Sequence, residues 1–211
     1  MSASGGKRTL DCGSLSKHMV EIQLCSYRQG RIANSMNSRL FAALTALVAW
    51  VGLAVQLSAS YDLTGSLIQS LWVMVRYFTV ITNFIVALVF TGIALRDRRF
   101  ESAPVVSGVT LAILLVGVVY GLLLRGLVEL SGGAAVADGL LHKMTPILGL
   151  GYWVLFVPKG QLRPTHPLVW TLLPLAYFPY ALIRGAMEGL YAYPFMDLDQ
   201  IDGRRRLPTA R

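Results

Sequence analysis

The stretch Leu71–Leu95, LWVMVRYFTVITNFIVALVFTGIAL, exceeds the ~20 apolar residues that a helix needs to cross a hydrocarbon layer, yet it carries Arg76, Thr79, Thr82 and Asn83 in its middle. Lipid gives such groups no partner, so ionisable residues at that depth are functional suspects. On one continuous helix Arg76, Thr79 and Asn83 fall at i, i+3 and i+7 and form a single polar stripe. That stripe must face other helices or a wet cavity, and any fold for this chain has to supply such a surface.

The remainder is built for the same environment. Hydrophobic residues make up 55% of the chain and charged ones only 14%, against roughly 25% charged in a soluble domain. The expected fold is all-α, a polytopic transmembrane helix bundle with five predicted spans: Leu40–Leu57, Leu71–Leu95, Val105–Leu124, Ala134–Phe156 and Leu168–Ile183. Pro174 and Pro179 should kink the last of these. A short connection, SASYDLTGS, joins the first two spans, and the paired glycines of SGGAAVADG suggest a flexible link before the fourth. Residues 1–38 read as a polar, disordered tail, 39–190 as the membrane domain and 191–211 as a second polar tail. The run MNSRLFAALTALVAW beginning at Met36 resembles a natural start for a membrane protein, and the preceding 35 residues are assigned no function.

The net charge of +8 does not mark a nucleic-acid face. Lys7, Arg8, Lys17, Arg28, Arg31, Arg39, Arg96, Arg98, Arg99, Lys159 and Arg163 all fall on one side of the expected topology. By the positive-inside rule that side is cytoplasmic, with the N-terminus inside and the chain in the inner or plasma membrane of a cell. Arg204–Arg206 alone strain the pattern. Cys12 and Cys25 have neither disulfide-framework nor metal spacing. No cofactor or metal is expected, since the chain has no P-loop, HExxH, GxSxG elbow or dinucleotide fingerprint.

Chemistry gathers where the second and fourth spans meet. At ~1.5 Å rise per residue, Thr79 lies about 18 Å and His142 about 12 Å from the outer face, within one layer once tilt is allowed. A hydroxyl beside an imidazole is the minimum for nucleophilic acyl transfer, the imidazole accepting the hydroxyl proton and a third group orienting it. Asp138, four residues before His142, is placed for that third role, and Arg76 or Asn83 for holding an oxyanion. Plainer readings stand beside these. Thr79 and Thr82 can bond carbonyls one turn back; His142 can be an interhelical packing residue; Arg76 can pair with Asp138 or Glu129 as structural glue. Lys143 is expected to snorkel outward, His166 to sit at a surface, Asp197 and Asp199 to belong to a solvated tail. Gly185 and Gly189 make only a weak GxxxG packing signal.

Three stretches taken in order, RYFTVITNFIVALVF, LLHKMTPILGLGYWVLFVPKG and YAYPFMDLD, resemble the androgen-induced membrane protein family and its bacterial six-span integral membrane relatives, over about Leu40 to Asp199. Animal members hydrolyse fatty acid esters of hydroxy fatty acids within the membrane, with a threonine nucleophile and a histidine. The resemblance implies that Thr79 and His142 take those roles, with Thr82 as the fallback threonine, and that membrane lipids, a lipid ester among them, are the partners. Where the family has a last span, this chain has DQIDGRRRLPTAR, so a truncated end is expected. The alternative function is a non-enzymatic lipid- or solute-binding protein or transporter, with Arg76, Asp138 and His142 as a polar or proton-relay site.

Overall fold

The computed structural model describes residues 36–126 and 129–196, and among these every regular element is helical. The parts of the expected tails that carry Cys12, Cys25, Asp197, Asp199 and Arg204–Arg206 lie outside the described residues.

Helix α1, Met36–Thr64, is longer than expected and absorbs most of the predicted connection, leaving only Gly65 and Ser66 before α2, Leu67–Met74. Its buried face is Ala42, Ala46, Ala49 and Leu53, and these small side chains let α3, Phe78–Ala94, approach closely. Val86, Ala87, Phe90 and Ile93 fill the other side of the seam. Arg39 donates to the carbonyl of Ala94 at 2.9 Å, satisfying the end of α3. Trp50 Nε1 donates to Thr91 Oγ1 at 3.1 Å across the same pair.

Helix α4, Ala103–Val119, opens with Pro104 in its first turn, where a missing N–H costs nothing. It runs on into a π turn, Tyr120–Leu124. The predicted fourth span is three pieces: α5, Gly132–Gly139; a second π turn, Leu140–Met144; and α6, Thr145–Phe156. Gly132 and Gly133, expected in a flexible link, instead begin α5. Tyr152 on α6 is fully buried against Phe90 and Phe156, and Trp153 Nε1 donates to Ser107 of α4 at 2.8 Å. The fifth expected helix is α7, His166–Trp170, followed by α8, Leu172–Glu188; the interruption is at Thr171, and Pro179 stays inside α8.

One expectation is overturned and another is left unconfirmed. The organising helix is not continuous: α2 and α3 meet at 97° across Val75–Tyr77. A break frees backbone carbonyls that must be satisfied. Helix α8 satisfies them: Tyr180 bonds the carbonyl of Val75, Tyr177 that of Arg76 and Arg184 that of Trp72. The five-span count is not supported either. Three helices are long and apolar enough to cross a membrane, Met36–Thr64, Ala103–Leu124 and His166–Glu188, or four if the bent pair is one span. The segment over 132–156 falls short because Asp138, His142 and Lys143 crowd its first half.

Gly189 ends α8 in the left-handed conformation, φ +66°, which glycine adopts without strain. The chain then folds back, and a Cβ at Gly185 would lie 2.3 Å from the Tyr191 ring. The Gly185–Gly189 spacing therefore serves this turn rather than a packing stripe. Tyr193, Phe195 and the buried Met196, which sequence places in the tail, come to rest beside the start of α3.

Candidate functional site

Thr79 is the second residue of α3, so the helix break brings it to a helix N-terminus. Its hydroxyl lies 3.1 Å from His142 Nε2. On the other side of the ring, Nδ1 is 3.1 Å from Asp138 Oδ1 and 3.3 Å from the Asp138 carbonyl. With the proton on Nδ1 held by Asp138, Nε2 is free to accept from Thr79. The hydroxyl, imidazole and carboxylate thus form one chain of contacts, with Thr79 buried and Asp138 and His142 mostly so.

Both π turns contribute to this arrangement, as such turns often do at functional sites. Tyr120, in the first, donates to Asp138 Oδ2 at 2.6 Å and stacks on the His142 ring with centroids 4.4 Å apart. His142 itself lies in the second. The cause of the second turn is local. Thr145 N–H bonds Leu140, five residues back, and Pro146 has no N–H, so the Leu141 carbonyl loses its helical partner. Asn83 supplies one: its side-chain amide donates to Leu141 at 3.2 Å and to the Thr79 carbonyl at 2.8 Å. Asn83 thereby ties the helix that carries Thr79 to the turn that carries His142, with both amide hydrogens engaged on carbonyls. Leu141 seats against Gly52 of α1, where a Cβ would come within 2.7 Å of it.

Arg76 leaves the predicted stripe because it lies in the break. It pairs with Glu188, not with Asp138 or Glu129, and its guanidinium is buried. Arg184 completes the cluster, donating to Glu188 at 2.8 Å and lying 4.1 Å from the Trp72 ring centroid. Trp72 Nε1 also donates to Glu188, at 2.9 Å. Thr82 lies one turn along α3 from Thr79, fully buried, with its hydroxyl unpartnered among the described residues. Lys143 is half exposed, 3.8 Å from Asp138.

Residues not singled out by sequence complete the site. Tyr193 lies against the Thr79 hydroxyl and the backbone N–H groups of Phe78 and Thr79, which open α3; burial raises its phenol above the ordinary range. A cavity of about 140 Å³ adjoins Thr79, walled by Val116 and Val119 of α4 and by Pro174, Tyr177 and Phe178 of α8. No cluster of potential metal ligands occurs among the described residues. Compared with protein-family models, curated proteins and solved structures, the chain matches none.

Proposed function

We propose that this chain is an integral membrane protein that hydrolyses lipid esters within the bilayer, with Thr79 as nucleophile and His142 as general base. The observation that carries the reading is the relay of 3.1 Å contacts from Thr79 Oγ1 to His142 Nε2 and from His142 Nδ1 to Asp138. Thr79 oxygen attacks the acyl carbonyl while Nε2 takes its proton. The oxyanion forms at the start of α3, where the helix dipole favours negative charge. Collapse breaks the ester bond, and the leaving alkoxide takes the proton from His142. Water then attacks the acyl-threonine, again with His142 as base, and His142 returns that proton to the Thr79 oxygen as the fatty acid leaves.

Asp138, held by Tyr120, orients the imidazole; Asn83 fixes the distance between the two helices; Arg76 holds α8 over the break. The resemblance to the androgen-induced membrane proteins supports the same pair, with Thr82 as the alternative threonine, and the distribution of Lys and Arg favours an N-terminus inside. Purified protein in detergent should hydrolyse long-chain esters, and Thr79→Ala and His142→Ala should each lower turnover by roughly 10³-fold or more with helicity unchanged. Full turnover in a folded Thr79→Ala variant would overturn the proposal.

One observation favours a binding or transport role. Two arginines converge on one glutamate at a broken helix, a place where transporters hold anionic groups. Anion binding that vanishes in Arg76→Ala and persists in Thr79→Ala would support that role.

A further inference from the structure

The cavity beside Thr79 does not stand alone. A second one, of about 350 Å³, is lined by Thr82 and Ile85 of α3, by Gly108, Val109 and Ala112 of α4, and by Trp170 and Leu173. On each of the three walls its residues continue those of the first: Thr79 to Thr82 and Ile85, Val116 to Ala112 and Gly108, Tyr177 and Pro174 to Leu173 and Trp170. The two cavities therefore lie end to end in one furrow between α4 and α7–α8, over one face of α3. Along α4 the furrow extends from Val119 to Val105, about 21 Å at ~1.5 Å per residue.

We propose that this furrow holds the acyl chain of the ester, carbonyl at Thr79 and tail toward Trp170, and that its lower half sets the chain length accepted. The inference rests on the hydrolase reading. The upper cavity is close to the ~150 Å³ that admits a benzene-sized guest, so it takes the first part of a chain and no more. The lower one supplies the remaining room, and their combined length suits an extended long-chain acyl group. The walls are nearly all carbon, and exposed Leu115, Val105, Val169 and Phe178 leave the furrow open sideways to lipid. A chain can slide in laterally without crossing water. The two walls close on each other at Gly108, where a Cβ would meet the Trp170 indole at 2.4 Å. Continuity with a nucleophilic hydroxyl at one end is what selects an acyl chain rather than a second protein copy as occupant.

Ala112→Phe, and independently Leu173→Trp, should block the lower half. Either should lower kcat/KM for a palmitoyl ester by at least about tenfold, the scale on which apolar pockets discriminate small changes in chain, and leave a butyryl ester unaffected. Quenching of Trp170 fluorescence by dibrominated stearate, isolated by subtraction with Trp170→Phe, should saturate in the wild type and disappear in Ala112→Phe. Equal losses for both esters in both variants, or quenching that Ala112→Phe leaves intact, would overturn the furrow. Saturable, Ala112-dependent quenching in a wild type that cleaves no ester would retain the furrow as a lipid site and dismiss the hydrolase.

Discussion

Helix α1, one side of the α1–α3 seam, and the α7–α8 arm are both long and apolar enough to cross a membrane, but different forces hold them. Along the apolar stretch of α1, 33% of residues are buried inside the molecule; along that of the arm, 6% are. The seam relies on shape, with alanines of α1 admitting the larger side chains of α3. The arm relies on directed polar contacts: Tyr177, Tyr180 and Arg184 reach carbonyls that the helix break leaves open, and Glu188 joins two arginines. An apolar face packed by shape supports a whole fold. A peripheral helix tied at one end by polar groups is suited to covering a site, and here it covers the one that the break creates.

Phe90, fully buried on the seam against Tyr152, should give the largest effect: Phe90→Ala should lower global stability by about 3–5 kcal/mol, read from thermal unfolding in detergent. Glu188→Ala should act locally. It leaves Arg76 and Arg184 facing each other without a counter-charge, so limited proteolysis should open the arm and ester turnover should fall, while the seam's unfolding midpoint moves less than in Phe90→Ala. An equal drop in both midpoints would erase the distinction drawn between the two regions.

The smallest effect concerns pH. Burial raises the Tyr193 phenol, so the folded chain keeps a proton that the unfolded chain releases near pH ~10. The associated stability is present below that value and is lost as pH rises above it. Tyr193→Phe should flatten this alkaline loss in a denaturation series taken across that range.

Much of the site was legible because it depends on local spacing. Asp138 precedes His142 by one turn, and two polar clusters in neighbouring apolar segments must face each other. Thr79 does meet His142, but not through the rise along one helix from which their common layer was deduced, because the chain turns by 97° before Thr79. The break was not legible, since Leu71–Leu95 has no proline or glycine before Gly92 and the partner of Arg76 lies 112 residues away. Glu188 and Tyr193 follow the last apolar run, Glu188 at the edge of the expected membrane domain and Tyr193 in the expected tail, where no pattern singles them out. The π turn around His142 did leave a signal in Pro146, whose missing N–H frees a carbonyl for Asn83. Nothing in the pattern of apolar residues marks Tyr120 as the group that fixes Asp138.

The central claim is that Thr79 becomes acylated. Peptide mapping by mass spectrometry, after brief exposure of the purified protein to a long-chain fluorophosphonate, tests it most directly. The account predicts an adduct on Thr79 in the wild type and none in His142→Ala. An adduct on Thr82 or on another residue, or labelling of Thr79 that persists undiminished without His142, would contradict it.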